Sequence, residues 1–273
     1  MAYFQPSFTD QTTAIPYYGA QDFFEGYELN ITGATTFTLN PGIVRGMAMN
    51  LGIEFNGQII NSPAVLEIDI STVGALGCYP VLPVLTIDTA LPVYMIGDSS
   101  GANAPTAIVA TADNFLPPGY DTWRRVAPVY INYTNNNIYA MVQSGSGTER
   151  SYVLASALVG VTASSATTLT AIDFSAGILP CNPAFTSKVL LTVSYNPAAA
   201  TDTLGITPLN VTGNPYPITL QTNLLAVAVS QMVEVAPLLT PANTEVYFIN
   251  SASGDVTSIW LSGWTESYNL RAV

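Results

Sequence analysis

The chain has no histidine at any of its 273 positions. That absence removes the Ser-His-Asp triad, the Cys-His dyad and every imidazole-ligated metal site. Neither a Gly-x-x-x-x-Gly-Lys loop nor a Gly-x-Gly-x-x-Gly turn occurs, so the nucleotide-binding folds built on those loops are excluded too. Charge is scarce, at 9% Asp, Glu, Lys and Arg, against about 25% in an average soluble domain. Basic residues are scarcest: Lys and Arg number 6 against 18 acids, a net charge of -12. A nucleic-acid partner needs a basic patch that this sequence does not supply. No apolar run reaches the roughly 18 residues of a membrane-spanning helix, and the densest stretches, Tyr152 to Val161 and Leu224 to Val235, are interrupted by Ser, Gln or Glu. The opening Met1-Ala2-Tyr3-Phe4-Gln5-Pro6 has neither a basic n-region nor an apolar h-region, so no secretory signal is expected. Cys78 and Cys181 are the only cysteines. Their spacing does not decide for or against a disulfide, and with no sign of secretion two buried free thiols are expected.

A chain that is 49% hydrophobic and so poorly charged cannot dress its surface with ions. Its surface must be covered by the abundant Thr, Ser and Asn, or hidden against other subunits, and both are expected. The acidity serves solubility. The sequons at Asn30, Asn132 and Asn210 would matter only in a secretory pathway that nothing else supports.

The periodicity is that of strands. Ala64 to Ser71 alternates strictly, with Leu66, Ile68 and Ile70 on one face and Val65, Glu67, Asp69 and Ser71 on the other. Lys188 to Tyr195 puts Val189, Leu191, Val193 and Tyr195 on one face. Asn56-Gly57 is a hairpin signal. Glu245 to Asn250 and Val256 to Trp264 are expected to pair around the turn Ser251 to Asp255. Ser165 to Thr170 echoes Gly33 to Thr38, a hint of a duplicated β domain. Strands interrupted about every 8 to 12 residues by Gly, Pro and Asn, without an amphipathic helix, predict an all-β, antiparallel, sandwich or jelly-roll-like architecture. The expected organisation is an N-terminal arm over residues 1–30, a first β domain over 31–155 and a second over 156–273. The arm is suggested by Tyr3, Phe4, Phe8, Tyr17, Tyr18, Phe23 and Phe24, whose spacing follows neither the helical nor the strand period. Their rings either insert into a partner or pack on their own domain.

Residues 91–133 read as three apolar strands, Val93 to Ile96, Ala107 to Thr111 and Val126 to Tyr133, separated by the breakers Gly97 to Gly101 and Pro117-Pro118-Gly119. Pro128 demotes the third strand to a sheet edge or a bulge. Pro118-Gly119 sets a turn from which Tyr120 leaves in a fixed direction. Arg124 and Arg125 then stand side by side, pointing to opposite faces of a strand, so one must face inward or into an interface. The ordinary reading pairs them with a neighbouring carboxylate such as Asp121 or Asp113. Pro118-Gly119-Tyr120 followed by Arg124-Arg125-Val126, after a strand that ends in Gly97-Asp98-Ser99, resembles a module of bacteriophage virion proteins of the tail and fibre or capsid-decoration type, over residues 91–145. The resemblance implies a virion location, contact with other virion proteins, and an N-terminal arm that holds the subunit to the particle, while the 9% charge content points to self-assembly as a dimer or trimer.

Glu67 and Asp69 lie about 7 Å apart on one strand face. That spacing would suit a glycosidase pair or a calcium site, but the ordinary reading is a solvated face. Asp98 to Asn103 lacks the acids of a calcium loop and reads as a plain turn. Tyr130, Tyr133 and Tyr139, beside the Asn-rich turn Asn135-Asn136-Asn137, would stack on a host surface glycan, or else form cross-strand pairs within a hairpin, the more ordinary role. Trp260 and Trp264, four apart on a strand, are expected on one face as core or interface residues. No catalytic residue, metal ligand or cofactor site is identified. The expected function is a non-enzymatic structural subunit of a tailed-phage virion, in an appendage (tail or head fibre, adaptor) or decoration role; the alternative is a carbohydrate-binding receptor-recognition β-sandwich.

Overall fold

The computed structural model describes residues 24–48, 59–86, 88–111, 116–145, 147–173, 186–208, 218–221, 229–235 and 245–268. It is all-β, with no helix among the described residues. None of them forms a helix long and apolar enough to cross a membrane. Two compact units divide the chain.

The described residues of Met1–Val84, Leu91–Val129 and Ser146–Thr148 form the first unit. Its strands are β1 (Phe24–Gly26), β2 (Leu29–Ile31), β3 (Thr36–Leu39), β4 (Gly42–Arg45), β5 (Met47–Ala48), β6 (Ile59–Ser62), β7 (Leu66–Asp69) and β8 (Cys78–Tyr79), with most of β9 (Thr89–Gly97), β10 (Thr106–Ala110) and most of β11 (Thr122–Ile131). β1, β4 and β6 form one sheet; β5, β11, β9, β10 and β8 form another in that order. β3 pairs antiparallel with β2 and β7. The ladders run antiparallel except the short parallel pairing of β8 with β10.

The alternation expected at Ala64 to Ser71 is present from Val65 onward: Ile68 and Ile70 are buried, and Val65, Glu67 and Ser71 are exposed. Pro128 lies in β11 beyond Trp123, where the ladder with β5 ends, and before Ile131, which bridges to Ile138. The missing proline N–H therefore leaves no rung of that ladder broken. Residues 24–30, expected in the arm, are instead part of the fold. Phe24, Tyr27 and Leu29 are buried, because β1 and β2 pair with β4 and β3. Tyr27 has φ 58, a costly conformation for a bulky side chain. Its buried hydroxyl offsets part of that cost by donating to the Ile60 carbonyl at 3.1 Å and accepting from the Ser62 N–H at 3.0 Å. The hairpin at Asn56-Gly57, and Tyr3, Phe4, Phe8, Tyr17, Tyr18 and Phe23, lie outside the described residues.

The described residues of Leu85–Ala90, Tyr130–Gly145 and Glu149–Val273 form the second unit. It contains β12 (Met141–Ser144), β13 (Glu149–Ser164), β14 (Thr170–Asp173), β15 (Thr186–Asn196), β16 (Thr203–Thr207), β17 (Ile218–Gln221), β18 (Val229–Val235), β19 (Glu245–Asn250) and β20 (Val256–Ser267). β18, β15, β20, β13 and β12 are neighbours in that order, and β14, β19, β16 and β17 form a separate sheet. Val189, Leu191, Val193 and Tyr195 are buried on alternate positions of β15, as the periodicity predicts. The boundary expected after residue 155 falls inside β13.

One expected hairpin does not form. β19 pairs with β14 and β16, while β20 pairs with β13 and β15, so the chain changes sheet between Asn250 and Val256. Buried polar groups hold this crossing. Asp255, fully buried, accepts from the Ala198 N–H at 2.9 Å, the Ala252 N–H at 3.1 Å and the Tyr195 hydroxyl at 3.1 Å. Asn250 Nδ2 donates to the Ser164 carbonyl at 3.1 Å, tying this crossing to the one that follows β13, and its Oδ1 accepts from Thr257 at 2.5 Å.

Candidate functional site

The stretch that carries the phage resemblance folds as two turns clasped together at one end of β9 and β11. Asp98 is the hub. Its Oδ1 accepts from the Ser100 N–H at 2.8 Å and hydroxyl at 2.6 Å, and its Oδ2 from the Asn103 N–H at 2.9 Å and Nδ2 at 2.8 Å. These bonds, led by those from Ser100, pull its carboxyl down to about 2. With all these donors already on its oxygens Asp98 is a turn organiser, as the sequence suggested. Asn103 Nδ2 also donates to the Gly119 carbonyl at 3.0 Å, and Asp121 accepts from the Ser99 N–H at 2.8 Å and from its hydroxyl. Gly119 has φ +89, and a Cβ there would stand 2.7 Å from Asn103 Nδ2. Tyr120 leaves the turn to pack on Ile96, Ile108 and Ala110 with Tyr94 and Trp123. The Tyr94 and Trp123 rings meet edge to face at 5.2 Å.

Arg124 and Arg125 follow. Both are buried, at 2% and 5% exposure, so β11 is covered on both faces here. The Arg124 guanidinium lies 5.7 Å from the Phe24 ring centroid, a cation–π contact. That assigns Phe24 to its own subunit's core. Asp121, the partner the sequence suggested, serves Ser99 instead. Asp113 lies outside the described residues.

A second buried polar centre was not found from sequence. Arg150 and Glu266, both fully buried, are cross-strand partners on β13 and β20. Glu266 accepts from Trp264 Nε1 at 3.3 Å and from the Tyr268 hydroxyl at 2.6 Å, and that hydroxyl meets the Tyr152 hydroxyl at 2.9 Å. Tyr152 and Trp264 stack at 5.4 Å, and the Arg150 guanidinium lies 6.0 Å from the Tyr268 ring centroid. The available signal was that Glu266 is the one charged residue of β20. Trp264 is therefore core, but Trp260 does not share its face. Trp260 stands opposite Thr192 and Trp264 opposite Val189, three residues apart on β15, because a bulge at Ser262 inserts one residue into β20 and inverts the alternation.

The tyrosines proposed for glycan binding form a tight hairpin. Tyr130 is fully buried and stacked on Tyr139 at 4.6 Å. The Tyr139 hydroxyl donates to Asp88 Oδ2 at 2.5 Å and accepts from Asn132 Nδ2 at 2.8 Å, while Asp88 Oδ1 takes the Tyr133 N–H at 2.9 Å. Burial, aided by Asp88, pushes the Tyr139 hydroxyl's pKa up. Of the three rings Tyr133, 49% exposed, faces solvent most, and Tyr139 is half-buried. Met141 to Ser144 pairs onward with β13 rather than back on β11.

Asp69 accepts from the Ser71 N–H at 2.9 Å and hydroxyl at 2.7 Å. Those bonds hold its carboxyl below the usual range. Glu67 is exposed, the solvated face expected. No group of three acidic or cysteine side chains that would hold a metal occurs among the described residues. Cys78 is buried and free, and burial, helped by the nearby Asp69 charge, pushes its thiol up to about 12. Cys181 lies outside the described residues.

The exposed surface of the second unit is apolar in places. Val142 and Val153 stand directly opposite each other on β12 and β13, at 68% and 39% exposure, Val159 is 52% exposed, and Met232 on β18 is 55% exposed.

No protein-family model matches the chain, and no curated protein matches its sequence. Among solved structures it is similar to the coat protein of Tobacco streak virus, at 17% identity over 44% of this chain and 84% of that one, with a TM-score of 0.24. A likeness at that score carries no inference to this chain.

Proposed function

We propose that this protein is a non-enzymatic structural subunit of a virion that acts by assembling with copies of itself, and that its place is in an appendage or decoration of a tailed phage. The observation that supports assembly is the surface of the second unit. Val142, Val153, Val159 and Met232 lie exposed on its sheet in a chain with too little charge to solvate such a surface by other means. The polar groups that would draw attention as a site are each engaged in holding turns and crossings: Asp98 and Asp121 on Ser and Asn donors, Asp255 on backbone N–H groups, and Glu266 on Trp264 and Tyr268. The phage assignment rests on the Gly97-Asp98-Ser99 and Pro118-Gly119-Tyr120 turns with Arg124-Arg125. Light scattering on the purified chain at micromolar concentration tests the assembly reading. A dimer or larger species is expected, and a clean 28.9 kDa monomer would contradict it.

A further inference from the structure

We propose that β18 is the edge through which two copies of this chain pair, strand against strand, about a two-fold axis at Met232. This deepens the assembly reading above and rests on it. β18 ends its sheet order, with β15 on one side and no strand on the other among the described residues. Its ladder with β15 runs from Val189↔Val235 to Tyr195↔Val229 without a register shift. The ladders of β20 with β13 and with β15 are both shifted. Folded proteins blunt an exposed sheet edge with bulges, prolines or central charges, because a regular edge offers unpaired N–H and C=O groups to any second strand. Val229–Val235 has no bulge, no proline and one charge, Glu234, which sits away from the centre and is held by Lys188 at 3.1 Å.

The order of residues along β18 fits a second copy of the same strand, and electrostatics constrains the register. Each copy carries a net charge of -12, so two copies associate only where acids do not face each other. Antiparallel self-pairing centred on Met232 sets Met232 opposite Met232, Val233 opposite Gln231, Val235 opposite Val229, and Glu234 opposite the uncharged Ser230. All seven residues of the strand then find partners, and every pair shares a face. The exposed Met232 side chain is covered by its own symmetry mate, while the row that holds the buried Val233 and Val235 continues into the second copy.

Cysteine substitutions read the register directly. Opposed residues of an antiparallel pair have Cα atoms about 4.5 to 5.5 Å apart, within disulfide reach. Under mild oxidation Met232→Cys is expected to give a covalent dimer that the wild-type chain, with its own Cys78 and Cys181, does not give. Ser230→Cys and Glu234→Cys are expected to stay uncrosslinked alone and to crosslink when mixed. Met232→Lys, which places two ammonium groups opposite each other, is expected to be folded and monomeric where the wild type is dimeric. If the wild type is oligomeric by light scattering but Met232→Cys and the mixed pair crosslink no better than wild type, copies associate elsewhere, and the β18 proposal falls while assembly stands. Crosslinking of β18 only to a different protein would overturn it equally. If the wild type is monomeric, the assembly reading itself fails.

Discussion

Replacing Gly119 with alanine perturbs the clasp between the two turns in a way whose parts can be separated. At φ +89 an added Cβ brings the left-handed penalty, about 1 to 2 kcal/mol. The same Cβ would stand 2.7 Å from Asn103 Nδ2. Asn103 is a flexible side chain and can withdraw, but only by giving up its bonds to Asp98 Oδ2 and to the Gly119 carbonyl. At this partly exposed site those two bonds are worth about 1 kcal/mol together. Gly119→Ala should therefore cost about 2 to 3 kcal/mol. Gly101 is the internal control: φ is +74 there and no atom lies within 4 Å of an added Cβ, so Gly101→Ala should show the conformational part alone. Urea melts of Gly101→Ala, Gly119→Ala, Asn103→Ala and the Asn103→Ala/Gly119→Ala double variant give the comparison. In the double variant the excess cost of Gly119→Ala over Gly101→Ala should disappear. Equal costs for the two glycines, or an excess that survives without Asn103, would show that the amide clasp is not what fixes Gly119.

The Asp98 carboxyl is depressed to about 2, so the stability it contributes is fully present above the ordinary carboxylate range and drains as pH falls from about 4 towards 2. Asp98→Asn should be less stable at neutral pH and show a shallower loss across that acid window, measured by thermal melts at stepped pH. Arg124→Ala and Arg125→Ala should each lower stability by about 2 to 4 kcal/mol, because both guanidiniums are buried; melts within a degree of wild type would mean they are effectively solvated. Trp264→Ala should cost about 3 to 5 kcal/mol, and Trp260→Ala clearly less, because the bulge at Ser262 puts only Trp264 on the buried face. Equal losses would contradict that assignment.

Where burial follows a regular period, the fold was legible in the sequence. Leu66 to Ile70 and Val189 to Tyr195 show their buried faces in the order of their apolar residues, and the breakers at Gly97 to Gly101 and Pro117 to Gly119 are the turns observed. What was not legible depends on contacts between distant residues. Nothing local to Ser262 announces a bulge; it shows in the ladder with β15. Val256 to Trp264 has the same strand pattern whether it folds back on β19 or crosses to β15, and the choice is made by Asp255 finding donors at Ala198 and Tyr195, about sixty residues away. Arg150 and Glu266 stand more than a hundred residues apart, and only the β13–β20 register brings them together. The aromatic Phe24 reads equally well as a docking ring or a core ring until Arg124 is found beside it.

Mass spectrometry of phage particles, banded on a density gradient and washed in high salt, tests the virion assignment most directly. This chain should be present at a fixed copy number relative to the major capsid protein and should survive the wash. Its absence from washed particles, with the full-length chain recovered only in the soluble fraction of the infected cell, would contradict a structural role in the virion.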